Sequence, residues 1–252
     1  MKLYCNVCGS TCKKWIYKKI ILDELAREWN LSKSLQKKIN LRESQFCPKC
    51  KNSSRTRILA KAIMDKLRVN GASNFKDWTN GAKRLNIRVA EINSCGRLHP
   101  FLSNLPHLYY SEYPPGSFYP RLYNSLKRIP REDITNLSYK NNRFDLVIHS
   151  DVLEHVSDID KALKECKRVL KPNGICLFTV PFIQNRKTIR RALIDKNGNE
   201  KFLKPPSYHG FGERKDNLVF WELGYDFVTK NKIKIEQSDP QLMTYVFSVV
   251  KS

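Results

Sequence analysis

Four cysteines stand in two matched pairs, Cys5 and Cys8 in "YCNVCGS" and Cys47 and Cys50 in "FCPKCKNSSRTR". A CxxC turn presents two thiolates to one side of a metal, and two such turns close a tetrahedron of soft ligands around Zn2+. A site filled by four protein ligands has no place for water, so its expected role is structural. Gly9 follows the first pair, where the chain must turn sharply. The stretch between the pairs is longer than a usual ribbon spacing and must carry structure of its own. Leu22, Leu25 and Trp29 share one helical face and predict a helix over 17–40. Cys12 is a substitute ligand in principle, but a buried thiol is the simpler expectation.

Groups able to move a proton gather elsewhere. Ser150, Asp151, Glu154 and His155 lie within "HSDVLEHV", and His209 beside Tyr208 lies in the loop "KPPSYHG". A histidine titrates near neutrality and suits a general base. The alternative for His155 is to brace the turn before a helix, and for His209 simply to pack.

The elements around these groups are legible. "FDLVIHS" is a continuous apolar run, the mark of a strand buried on both faces of a parallel sheet. "SDIDKALKECKRVL" reads as a helix with Ser157 as N-cap and Asp158 and Asp160 in its first turn. Ile159, Ala162, Leu163, Cys166, Val169 and Leu170 form its apolar stripe. "KPNG" ends it, with Asn173 and Gly174 suited to a left-handed turn. "ICLFTVPF" is the next buried strand, giving a βαβ unit with a right-handed crossover. Ahead of these, the periodicity of Leu59, Ile63 and Leu67 predicts a helix over 56–68. Arg55 and Arg57 beside it are expected to cap or pair across the module junction rather than to touch an anionic ligand.

The block 141–182, with "HSDVLEHV", "CKRVLKPNG" and "FTVP", resembles the second half of class I S-adenosylmethionine-dependent methyltransferases of the type 11 group. The resemblance covers roughly 57–252. A cysteine pair followed by an "SSRTR"-like run, and the late segments "KPPSYHG" and "LVFWELGYDF", also look like parts of that subgroup. The resemblance implies an α/β, Rossmann-like methyltransferase domain with a mostly parallel sheet over 57–252. A small zinc-ribbon-like module with a helical insert precedes it over 1–56.

In that family the first strand runs into a glycine-rich loop beside the cofactor. Here "RVAEINSCGRL" keeps the strand and Glu91 but puts Asn93 and Cys95 where early glycines are expected. Asn tolerates a positive φ, and Gly96 is left for the tightest place. The resemblance further implies that Glu112, at the end of the strand in "HLYYSEYPPG", accepts hydrogen bonds from the ribose hydroxyls of S-adenosyl-L-methionine. It implies that Asp133, in "PREDITNLSY", meets the adenine amino group, and that Ser150 lies at the cofactor edge. Asp151, His155 and His209 are the candidate catalytic residues.

Composition narrows the partners. A hydrophobic share of 41% suits a folded chain, and no apolar run reaches the ~18 residues that span a bilayer. With no apolar signal core at the start, a cytoplasmic protein is expected, whose eight cysteines are thiols or metal ligands. The formal net charge is +22, of which +10 falls on residues 1–57. Such a balance fits a polyanion partner or a Lys-rich compositional bias. Three readings stand. One is methyl transfer to a small-molecule or glycan acceptor. The second is methyl transfer to RNA gripped by the basic zinc module. The third is a non-catalytic binding protein on a degenerate methyltransferase fold. The sequence does not fix an oligomeric state.

Overall fold

The computed structural model describes residues 2–19, 23–113, 129–208 and 217–251, without the side chains of Glu24, Leu25 and Glu28. The chain forms two compact units. The first holds Met1–Ile87, Cys95–Leu108 and Ile235–Phe247. The second holds Arg88–Ser94, Tyr109–Lys234 and Ser248–Ser252.

In the first unit, β1 (Leu3–Tyr4) pairs antiparallel with β2 (Thr11–Cys12) around the first cysteine pair. β3 (Ile16–Tyr17) pairs with β4 (Gln45–Phe46) and delivers the chain to the second pair. The segment between them is not the single helix expected over 17–40. It is α1 (Asp23–Glu28) and α2 (Lys33–Ser44). Asn30 takes a left-handed φ of 49°, and the Ser32 side chain accepts from the Leu35 amide at 3.2 Å as a fresh N-cap. A capped restart satisfies amides that an unbroken helix would bond internally, so the break is built into "WNLS". Leu22 and the Leu25 side chain, cited for that helix, lie outside what is described.

α3 (Ser54–Lys66) starts and ends two residues before the expected 56–68 helix, because Ser53 caps it. It buries Leu59, Ala60, Ala62 and Ile63. α4 (Phe75–Ala82) is capped by Asn74 and buries Phe75 and Trp78, whose rings stack 5.1 Å apart. Burial of such side chains is worth about 2–3 kcal/mol each.

The second unit carries most of a sheet whose strand order is β14-β15-β8-β7-β5-β6. The strands are β5 (Val89–Ile92), β6 (Leu108–Ser111), β7 (Phe144–Ser150), β8 (Leu170–Thr179), β14 (Lys234–Asp239) and β15 (Thr244–Val250). β5, β7 and β8 are mutually parallel, with Glu91 opposite Ile148 and Ser150 opposite Thr179. The fold is therefore α/β and Rossmann-like. A short helix, α5 (His99–Leu102), precedes β6. α6 (Ile159–Val169) links β7 to β8 and buries Ile159, Ala162, Leu163, Cys166 and Val169.

Two local expectations shift. The cap of α6 is Asp158, not Ser157, and its carboxylate accepts from the Lys161 amide at 2.9 Å. The buried Ile159 sets the helix register one residue later than the hydroxyl would. β8 already begins at Leu170, which pairs with Phe144, so "KPNG" is not a break between helix and strand. Asn173 takes the left-handed conformation there, at φ 62°. Gly174 serves close approach instead, since a Cβ on it would come 2.9 Å from the Lys171 carbonyl and 3.0 Å from that of Phe144.

The remaining strands, β9 (Phe182–Ile183), β10 (Ile189–Arg190), β11 (Ala192–Ile194), β12 (Glu200–Phe202) and β13 (Trp221–Gly224), form two small sheets in the second unit. Among the described residues, no helix is long and apolar enough to cross a membrane.

Candidate functional site

The four cysteines of the first unit converge. Their sulfurs all lie within 4.8 Å of one another, with Cys5 to Cys50 at 3.7 Å and Cys8 to Cys47 at 3.8 Å. Zinc–sulfur bonds of ~2.3 Å in a tetrahedron set sulfurs about 3.8 Å apart, so the donors match that ion. The two turns are near copies. Gly9 donates to the Cys5 carbonyl and Lys51 to the Cys47 carbonyl, each at 2.9 Å. Gly9 and Lys51 both take positive φ, 73° and 59°. Gly9 has a second reason to be glycine, because a Cβ there would lie 2.8 Å from Asn74 Nδ2. The Cys5 thiol, hydrogen-bonded to Cys50, holds Cys50 down at about 4 while its own pKa is pushed up.

Arg57 underlies this cluster. Its guanidinium donates to the carbonyls of Gln45 at 2.9 Å and Asn52 at 3.2 Å and sits 4.0 Å over the Trp15 ring. Burial lowers its pKa, and the nearby cysteines oppose that shift. Arg55 pairs with Glu43 at 3.1 Å. Both arginines hold the module together. Arg57's carbonyl also accepts from Asn6, and Phe75 and Lys76 donate to the carbonyls of Asn6 and Val7. The first knuckle is thus tied to α3 and α4.

In the second unit, the strand ends bring several expected residues onto neighbouring strands. Glu91 is fully buried in β5. Asn93 takes φ 57°, the conformation a glycine would supply. Its amide donates to the Ser111 carbonyl at 2.9 Å, and its Oδ1 accepts from the Tyr113 amide at 2.6 Å. The glycine-poor loop therefore turns, and its side chain fastens it to the segment carrying Glu112. Gly96, at φ 62°, falls in the first unit.

Glu112 follows β6 directly, and its backbone forms an isolated parallel β-bridge with Arg131. Tyr110 Oη donates to its Oε1. Burial and this carboxylate push the tyrosine pKa up. Asp133 already has local work, since its Oδ1 accepts from both the amide and the hydroxyl of Thr135 at 2.8 Å.

At the ends of β7 and β8, Ser150 and Thr179 hydroxyls meet at 2.7 Å, and Thr179 Oγ1 donates to Asp151 Oδ1 at 3.1 Å. Asp151 is left-handed, φ 53°, with its amide bonded to the Thr179 carbonyl. His155 Nδ1 lies 2.9 Å from the Leu218 carbonyl. A carbonyl only accepts, so Nδ1 carries the proton and Nε2 the lone pair. Burial depresses the His155 pKa, partly offset by that carbonyl and by Asp151. Glu154 is buried, and its carbonyl accepts from the Phe220 amide, so the 153–155 turn is braced against 218–220. His209 lies outside the described residues; its neighbour Tyr208 bridges to Leu218.

Thr179 and Tyr110 were not anticipated. Thr179 stood in plain view in "FTVP", but its partners lie 28 and 29 positions away. Tyr110 is two residues from its acid, the i, i+2 spacing that puts strand side chains on one face.

Residues 121–178 match the family model of a methyltransferase domain. A ubiquinone biosynthesis O-methyltransferase of Chelativorans sp. (strain BNC1) is 30% identical over 100 residues, 38% of this chain and 38% of that protein. One of Rhodopseudomonas palustris (strain HaA2) is 31% identical over 108 residues, 33% of this chain and 42% of that protein. The chain thus aligns with less than half the length of these curated relatives. An S-adenosylmethionine-dependent methyltransferase structure from Mesorhizobium loti aligns with 69% of this chain and 96% of its own, at 16% identity and TM-score 0.38. The matched stretch, 121–178, includes β7 and α6.

Proposed function

We propose that the chain transfers the methyl group of S-adenosyl-L-methionine to a hydroxyl of a small-molecule or glycan acceptor. Residues 57–252 form the catalytic domain in this reading, and residues 1–56 a module closed by structural Zn2+ on Cys5, Cys8, Cys47 and Cys50. The observation that carries it is the methyltransferase-domain match over 121–178, next to a first-strand loop that turns without its glycines. That both relatives are named O-methyltransferases supports an oxygen acceptor.

Bound S-adenosyl-L-methionine supplies an already activated sulfonium methyl, so the protein's task is mainly to align two reactants. Glu112 holds the ribose hydroxyls, and the Tyr110 hydroxyl orients its carboxylate. Asn93 sets the loop beside it. Asp133 and Ser150 belong to the same edge. His155 has the protonation state of a general base near neutrality, with its Nδ1 proton spent on Leu218 and its charged form disfavoured by burial. Asp151 and His209 complete the catalytic set.

Isothermal titration calorimetry with S-adenosyl-L-methionine tests this reading. Saturable binding to the wild-type chain is expected. A flat titration favours instead a binding protein on a methyltransferase fold. An RNA acceptor is the second reading, motivated by the +10 charge on residues 1–57. It requires gel-shift affinity for RNA that collapses between low and moderate salt.

A further inference from the structure

A second soft-ligand cluster lies inside the second unit, away from the four knuckle cysteines in sequence. His149 on β7, Cys166 on α6 and Cys176 on β8 are each fully buried. Their ligand atoms all lie within 4.8 Å of one another. The topology explains the convergence. Cys176 pairs with Val147 across the parallel ladder, and His149 is two residues on, so both side chains leave the same face. Cys166 sits in the buried stripe of the helix that links those two strands.

The histidine is the odd member. Its ring stacks on Phe178, with centroids 4.8 Å apart and planes 12° from parallel. Apart from its contact with the Cys166 thiol, a weak donor, neither ring nitrogen has a hydrogen-bond partner among the described residues. A buried polar group left unsatisfied costs about 1–3 kcal/mol. An apolar side chain of similar shape would fill the same space without that cost. Two sulfurs and an imidazole are also the donor set that soft metal ions select.

We propose that His149, Cys166 and Cys176 form a closed three-ligand site for a soft monovalent cation of the copper(I) class. Three donors and a dry surrounding suit an ion content with low coordination number. Zinc in structural sites almost always takes four ligands. A +1 ion with one thiolate, one thiol and a neutral imidazole is uncharged, which a buried site favours. Metal–ligand bonds of ~2.0–2.3 Å put donors about 3.5–4 Å apart, so the cluster closes with small side-chain movements.

The test uses the full chain, first loaded with zinc and then titrated anaerobically with copper(I) delivered from a bicinchoninate complex. After desalting, copper and zinc per chain are read by plasma mass spectrometry. The Cys176→Ala and Cys166→Ala variants are expected to retain one copper per chain fewer than the wild type, at unchanged zinc. Copper is also expected to raise the melting temperature of the wild type and not of Cys166→Ala. Equal copper retention in the wild type and both variants overturns the site. So does copper that appears only as zinc is lost, since that ion sits on the knuckle cysteines. If Cys176→Ala fails to fold, Cys166→Ala decides, because it removes one small group from a helix face. His149→Phe, which keeps the stack on Phe178, then serves as the second reading. Retention of copper by that variant at the wild-type level counts against the proposal.

Discussion

The knuckle cysteines and the strand-end residues of the sheet place their chemistry by opposite means. In the first unit, two local turns of the same design each offer two identical ligands, and the small β3–β4 ladder brings the turns together. Position there is a property of short segments, and in the proposed reading one Zn2+ ion would finish the geometry. In the second unit, Asn93, Glu112, Ser150 and Asp151 come from the ends of three strands, β5, β6 and β7. Asn93 is held by a backbone amide, Glu112 by a tyrosine, and Ser150 and Asp151 together by a threonine on the next strand. The first arrangement concentrates its stability in one cooperative centre. The second spreads it over many bonds of about 1 kcal/mol each. Loss of one part should therefore be severe in the first and graded in the second.

The sharpest test of that contrast is Cys47→Ser. Structural zinc contributes on the order of 10–16 kcal/mol of apparent binding energy in small zinc modules, and that energy is folding energy. The variant is expected to lose essentially all tightly bound zinc, read by plasma mass spectrometry. Trypsin should then cut readily within 1–56, where lysines and arginines are dense. A variant that keeps its zinc and resists trypsin would erase the distinction between the two regions.

Glu112→Ala comes next. Charged hydrogen bonds are worth about 1.5–3 kcal/mol, so affinity for S-adenosyl-L-methionine should fall roughly 10- to 100-fold by calorimetry. The melting temperature should move little, because Glu112 stands at a strand end. Binding at the wild-type level would remove Glu112 from the site. Asn93→Ala should do less to binding and more to the fold. It places a Cβ residue without Asn's tolerance at φ 57° and removes the 2.6 Å contact to Tyr113. Left-handed strain of about 1–2 kcal/mol predicts a melting temperature lower by about 2–6 °C in scanning calorimetry. Asn93→Gly should recover part of that loss, since glycine takes the turn without the contact. A fully stable Asn93→Ala would mean that the loop does not depend on its asparagine.

The same contrast decides what was legible in the amino-acid sequence. The knuckles announced themselves because their partners are three residues apart and chemically identical. The β7–α6–β8 block was equally clear, its apolar runs and stripe requiring no knowledge of distant partners. What was misplaced depended on competition between neighbours. Ser157 and Asp158 both cap well, and the buried Ile159 chose between them. The 17–40 stretch holds helix formers throughout, but Ser32 offered a second start after Asn30. Thr179 and the His149–Cys166–Cys176 cluster went unread for another reason. Their meaning lies in pairings across the sheet, and nothing in "FTVP" or "VIHS" reports which residue stands opposite.

His155 gives the smallest expected effect and the finest probe of the strand-end plan. Burial disfavours its protonated form, and neither the Leu218 carbonyl nor Asp151 reverses that. Its pKa is thus lower in the folded chain than in the unfolded one, near 6.5. The sign follows from linkage: the neutral ring's contribution is fully present above about pH 6.5 and is lost as pH falls through the lower folded value. The wild-type melting temperature should therefore fall between pH 7 and pH 5.5, and His155→Gln should fall less over the same interval. The difference should be no more than about 3 °C, the scale of one weak interaction in a chain this long. In the proposed reaction, with His155 as the base, methyl transfer by the wild type should hold steady as pH drops to about 6.5, because the ring is still neutral there. Identical melting curves for the two proteins across that range would mean that the ring meets solvent freely. The 2.9 Å contact to Leu218 would then not be what orients it.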